Sequence, residues 1–149
     1  MTDWTEFAER LAEQLALLPA GAIVKIVEAG LPPGHQRFAQ FAQTDSELLA
    51  ELVGDEFLEP TARPDETGYH LITESGWQEP DDDHGPYWWI ELPWPVNSAI
   101  YRQLAAMVVT GLRDAFRISD PGSLTYTAWN KNADERDLNL PLLGLARQD

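Results

Sequence analysis

The sequence contains no cysteine, which removes disulfides, thiolate nucleophiles and cysteine-held metals from consideration. Basic residues are scarce: 10 Lys and Arg stand against 25 Asp and Glu, a formal charge of -15 at pH 7. A surface this negative repels phosphate backbones and anionic lipid, so nucleic acid and membrane are both disfavoured as partners. No run approaches the ~20 consecutive apolar residues that a membrane span needs. The acidic opening, Met1 to Glu6, lacks the basic n-region of a secretory signal, and the cytoplasm is the expected setting. Patterns of catalysis are missing as well. None of the five serines lies in a G-x-S-x-G elbow, and neither a Walker A loop nor a G-x-G-x-x-G turn occurs.

What is present fits an ordinary folded domain. The 149 residues are 44% apolar and include six tryptophans, enough for one domain over 1–149 with a substantial core. The charge is lopsided. Residues 1–95 hold 19 acids and 4 bases, whereas residues 96–149 hold 6 of each. Such an acidic stretch suits a basic partner, a mimic of DNA, or simple solvation of the surface.

Asp3 and Glu6 have capping-box spacing, and Trp4, Phe7, Leu11, Leu15 and Leu18 recur at helical intervals before Pro19 and Gly21. Three strand-like runs follow at Ala22–Glu28, Gln36–Gln43 and Glu47–Val53, separated by turn residues as in an antiparallel meander. Apolar residues on both sides of the first place it centrally in the sheet. Asp65 can cap a short helix ending at Ser75, with Gly76 as its left-handed C′ residue; a strand at Tyr69–Thr73 competes with that helix because Gly68 weakens it. Gln78–Pro86 reads as an acidic surface loop, and Tyr87–Leu92 as a strand closed by Pro93-Trp94-Pro95. A long helix is predicted over Ser98–Phe116, capped by Asn97 and striped by Ile100, Leu104, Met107, Val108, Leu112, Ala115 and Phe116. Leu124–Trp129 is the last strand, and Leu138–Leu145 packs down around Pro141 as a turn or short helix. The predicted class is α+β, in the order α-β-β-β-α-β-α-β, with the helices on one sheet face.

The histidines His35, His70 and His84 lack partners at metal-ligand spacing. Asp81-Asp82-Asp83-His84 is the one run that invites a cation, but it lacks the alternate spacing and bidentate glutamate of a calcium loop and reads as a solvated charge run. No cofactor or metal is expected. Carboxylates are too numerous for any pair of them to mark an acid–base site. Trp77, Tyr87, Trp88, Trp89 and Trp94 crowd the borders of the acidic loop. On a strand, Trp88 and Trp89 point to opposite sheet faces. One of them enters the core, and the other needs cover from another element or from a partner. Trp77, Trp94 and one of the pair also have a plain reading as core; as a group, the five are the candidate partner contacts.

Phe38-Ala39-Gln40-Phe41-Ala42, the run Leu49 to Asp55 with Phe57-Leu58, Gly76-Trp77 with Pro80, and Leu112 to Phe116 with Pro121, Leu124 and Tyr126 together resemble a pattern found in actinobacterial proteins. These are the YbjN-like and type III secretion chaperone-like domains, described as peptide-binding chaperones. The resemblance rests on order and spacing over residues 36–129. It implies a small α+β fold with a curved antiparallel sheet, no cofactor, and a surface for an extended segment of another protein. Secretion chaperones of that fold are small acidic dimers. Here one strand precedes the long helix where they carry a hairpin, so no dimer interface is transferred, and the family supplies no catalytic residue. The expected function is therefore a cytoplasmic, non-enzymatic protein- or peptide-binding module with a basic partner. The alternative is an immunity or inhibitor protein whose acidic face blocks a basic active site.

Overall fold

The computed structural model describes residues 3–32 and 34–147. Asp3 caps helix α1 (Trp4–Ala16) by accepting from the Glu6 amide at 2.7 Å. Strands β1 (Ala22–Glu28), β2 (Phe38–Gln43) and β3 (Glu47–Leu52) form the expected meander. Helix α2 (Glu66–Ser75) starts on the Asp65 carboxylate and stops at Gly76, whose φ of 120° takes the left-handed place, so residues 69–73 are helical. Strand β4 (Trp88–Pro93) follows, then α3 (Ser98–Val109), capped by Asn97, then β5 (Leu124–Asn130). Two short strands, β6 (Arg136–Asp137) and β7 (Ala146–Arg147), complete the chain's described part.

The sheet order is β4-β3-β2-β1-β5-β6, with β7 pairing parallel to β5 and every other pairing antiparallel. β1 is central, as its two-sided apolar pattern implies. Ala22, Val24 and Ile26 on β1, Ala39 and Phe41 on β2, Leu48, Ala50 and Leu52 on β3, Trp88 on β4 and Tyr126 and Ala128 on β5 are buried together. They share one core with Phe7, Leu11 and Leu15 of α1 and Leu104 and Val108 of α3.

Three expectations need correction. The helix from Ser98 does not stay α-helical to Phe116: residues Thr110–Ala115 form a wider π turn, closed by the Phe116 amide on the Gly111 carbonyl. A Cβ on Gly111 would lie 2.6 Å from Leu52, so the missing side chain lets this turn sit directly on β3. The tail carries a 3-10 turn at Pro141–Leu143, as expected, but also β6 and β7, which are too short to signal themselves. Gln78–Pro86 is more than a surface loop, because Gln78 exchanges both backbone hydrogen bonds with Trp89 on the outer side of β4.

Two long-range contacts fix the ends of strands. Arg37 forks onto Glu28 at 2.6 and 3.0 Å and donates to the Phe116 carbonyl at 2.6 Å, closing the C-terminus of the π turn. Pro86 crosses so tightly over Gly54 that a Cβ there would sit 1.6 Å from its carbonyl oxygen. The φ of Gly54 is an ordinary -93°; lack of space, not conformation, selects glycine. Gly54→Ala is therefore expected to cost about 1–3 kcal/mol through forced displacement of this crossing, measured as a lowered urea midpoint with unchanged m-value.

Candidate functional site

Because strand side chains alternate, half of each strand faces away from the helices. Register assigns that helix-free face. One row runs Trp129, Ile23, Ala42, Leu49 and Glu91 across β5, β1, β2, β3 and β4. The next runs Thr127, Lys25, Gln40, Glu51 and Trp89. Trp129, Ile23, Ala42 and Leu49 are all partly exposed, so a band of apolar side chains lies open across four strands, roughly 15 Å at the ~4.8 Å strand spacing. Glu47, Glu51 and Glu91 border it on the β3–β4 side.

The tryptophans divide between the two faces. Trp77 is 2% exposed and donates its indole N–H to the Met107 carbonyl at 3.1 Å. Trp88 is 6% exposed and packs against Tyr69 of α2. These two support the site from beneath. Trp4 is buried as well, its indole N–H directed to the Ser119 carbonyl. Trp89, Trp94 and Trp129 remain partly exposed. Trp94 follows β4, its amide on the Ser46 carbonyl at 2.9 Å. Tyr87, at the other end of the strand, stacks on the exposed Phe57 and meets Phe38 edge-on, while the Lys25 ammonium lies 4.3 Å from the Phe38 ring. Thus Tyr87 and Trp89 share the helix-free side, whereas Trp77 and Trp88 do not.

The cover that Trp89 needs comes from its own chain. The His84 ring stacks on the indole at 3.4 Å between centroids and 6° between planes. Its Nδ1 meets Asp81 at 2.8 Å and its Nε2 meets Glu91. The Trp89 indole N–H donates to the Glu79 carbonyl at 3.0 Å. Residues 78–85 thereby form a strap along the outer side of β4. The hydrogen bond to Glu91, followed by the bond and charge of Asp81, holds the His84 pKa above its ordinary value against the opposing effect of burial. Asp81 is lowered, chiefly by the His84 ring and also by the amides of His84 and Asp83, both of which donate to the same oxygen. Glu51, opposite Trp89 on β3, is raised by burial, an effect opposed by the Gln40 amide that donates to it at 2.8 Å.

Of the hollows in the surface, two bear on the site. A groove of about 410 Å³ between α1 and α3 is lined by Ala12, Ala16, Leu17 and Tyr101 with Glu9, Glu13 and Arg102 at its walls, and Leu17 is 67% exposed. A second, of about 300 Å³, brings Asp55 and Tyr69 together beside Trp88 and Glu79. The Tyr69 hydroxyl donates to the Asp55 carboxylate, and burial raises the pKa of that acid against the pull of Arg63. Among the described residues, no group of three or more His, Asp or Glu is placed to hold a metal ion.

Trp129, Ile23, Leu49 and Phe57, with the buried Phe38 beside them, lie on this side of the sheet without having been predicted as partner contacts. Period-two alternation flags Ile23 and Leu49 as facing away from Val24 and Leu48. That Trp129 adjoins them depends on a β1–β5 pairing across about a hundred residues, which no local pattern carries.

A raised His84 pKa means that its contacts stabilise the strap fully below the ordinary histidine value of about 6.5 and lose that contribution as pH rises through the folded value. Glu91, Asp81 and Glu51 are the charged groups that act on it. Proton NMR is expected to show His84 titrating above the ordinary value, and Glu91→Gln to move that midpoint downward; an unshifted midpoint in both proteins contradicts the contact. Acrylamide quenching is expected to separate two tryptophan populations, the accessible one diminished by Trp89→Phe and by Trp129→Phe but not by Trp77→Phe.

Searches of curated proteins and of solved structures return no match. The family model described as T3SS (YopN, CesT) and YbjN peptide-binding chaperone 3, TY-Chap3, matches residues 1–130. That span contains α1 to α3, β1 to β5 and the whole helix-free band. No helix among the described residues is long and apolar enough to cross a membrane. With a match over most of its length, the chain belongs to the TY-Chap3 family of peptide-binding chaperones.

Proposed function

We propose that the chain holds an extended, basic segment of another polypeptide against the helix-free sheet face and releases it unchanged, as a cytoplasmic, non-enzymatic chaperone. One observation carries the reading: the open apolar row Trp129–Ile23–Ala42–Leu49 bordered by Glu47, Glu51 and Glu91. An extended chain laid across it turns alternate apolar side chains onto the row, while long basic side chains from the intervening positions, which start out pointing away from the sheet, reach the carboxylates at its border. The groove between α1 and α3 is shorter on such contacts, its apolar lining being confined to Ala12, Ala16, Leu17, Tyr101 and Leu142. The acidic border accelerates encounter with cationic segments and makes it sensitive to salt. Trp89, Trp94 and Tyr87 extend the contact toward β4.

A peptide array of extended sequences, followed by fluorescence anisotropy on the hits, tests this. Expected are binders with alternating apolar and basic residues, weakened at least tenfold by Leu49→Ser and further by high salt. Leu17→Ser, in the α1–α3 groove, leaves them unaffected. Hits lost with Leu17→Ser but indifferent to Leu49→Ser, or no hits at all, overturn the proposal. Sedimentation of the unliganded chain, with and without Leu49→Ser, reads whether two copies pair through the same face.

A further inference from the structure

The outer margin of β4 is one edge of the sheet. Trp89 directs its amide and carbonyl outward to Gln78, at 3.1 and 2.8 Å. In an antiparallel ladder every second residue does the same, so the amide and carbonyl of Glu91 also point outward, and Pro93 contributes only a carbonyl. Gln78 satisfies the first of these positions. The strap then turns away through Glu79 and Pro80, and none of its described residues pairs with the backbone of Glu91, although His84 reaches the Glu91 side chain. The strap is held there by one backbone pair, one indole hydrogen bond and the His84 ring, while Asp81, Asp82 and Asp83 stand exposed.

The chemistry of what occupies the margin is specific. A flat, cation-forming ring lies parallel on an indole, with its two nitrogens directed at two carboxylates. A guanidinium group reproduces that arrangement: it is planar, permanently charged, stacks on aromatic faces and forks between acceptors. A lysine ammonium supplies the charge without the plane. A strand added beside β4 places one side chain directly across from Trp89 and its neighbours diagonally within reach of Glu91. Glu51 stands on the other side of Trp89 in the pair without hydrogen bonds, where side chains come closest.

From this juxtaposition we infer that the outer margin of β4 is a docking edge for an extended segment carrying an arginine, which stacks on Trp89 between Glu51 and Glu91, and that residues 78–85 hold that place in the free protein with His84 as the stand-in. The inference rests on the proposed peptide-binding function and names the edge and the side chain it selects. Displacing an internal occupant weakens the apparent affinity by the fraction of molecules in which the edge is free.

Calorimetric titration with an eight-residue peptide alternating threonine and valine around one central arginine tests it, against the same peptide with citrulline or lysine at that position. The arginine peptide is expected to bind at least tenfold tighter than the citrulline peptide, with lysine between. His84→Ala tightens the arginine peptide several-fold, whereas Glu91→Gln weakens it. Trp89→Phe retains part of the preference, and Trp89→Ala abolishes it. Equal binding of arginine and citrulline, no gain from His84→Ala, or no binding by any of the three peptides overturns the inference. Array peptides that bind in a Leu49-dependent way yet ignore His84 and Trp89 overturn it while sparing the broader function. An array without any binder overturns both.

Discussion

Helices cover only one side of this sheet, and that asymmetry governs the rest of the molecule. Every strand must divide its residues between a sealed layer and one left to water or to a partner. The sealed layer is conventional: Val24, Ile26, Phe41, Leu48 and Leu52 beneath α1 and α3. The other is unusual for a solvated face, with Trp129, Ile23, Leu49 and Trp89 among its members. Scattered apolar residues on a surface need no explanation, but a contiguous row across several strands does. Membership of a peptide-binding chaperone family supplies one.

The adjacency of Trp88 and Trp89 shows the same constraint at the scale of two residues. One indole closes the core against Tyr69, and the other emerges on the opposite side and is roofed by His84. The roof is electrostatic as much as apolar. A single imidazole between Asp81 and Glu91 draws acidic residues toward one another despite a chain that is strongly negative overall. Of the acidic run Asp81 to Asp83, the first carboxylate is held on that ring while the other two stand exposed.

Most of the architecture could be read from local signals. Caps at Asp3, Asp65 and Asn97, the stop at Gly76 and the alternation of β1 to β5 are each confined to a few neighbouring residues, and each marks its element in the structure. The π turn at Thr110 was hidden because its residues still look helical, and the close approach of Gly111 to Leu52 involves a distant strand. β6 and β7 span two residues each and have no period to detect. The candidate surface was legible in part. The cluster around Trp89 was visible as a concentration of aromatic and acidic residues. Its continuation to Trp129, and the division that sends Trp77 and Trp88 inward, required the pairing of distant strands. His84 read only as the end of an acidic run because, besides the nearby Asp81, its partners are Glu91 and the face of Trp89 on β4.

The crossing of Pro86 over Gly54 gives the strap a firm root at one end, and the indole of Trp77 lodged on Met107 gives it another. A segment of some eight residues pinned at both ends can swing aside without wandering off. It stays a resident competitor at an effective concentration on the order of millimolar, never diluted and never lost. Any visiting chain must outbid this tethered rival, so indiscriminate adhesion to the exposed margin is filtered out by the molecule's own loop. The filter is renewed the moment a visitor departs.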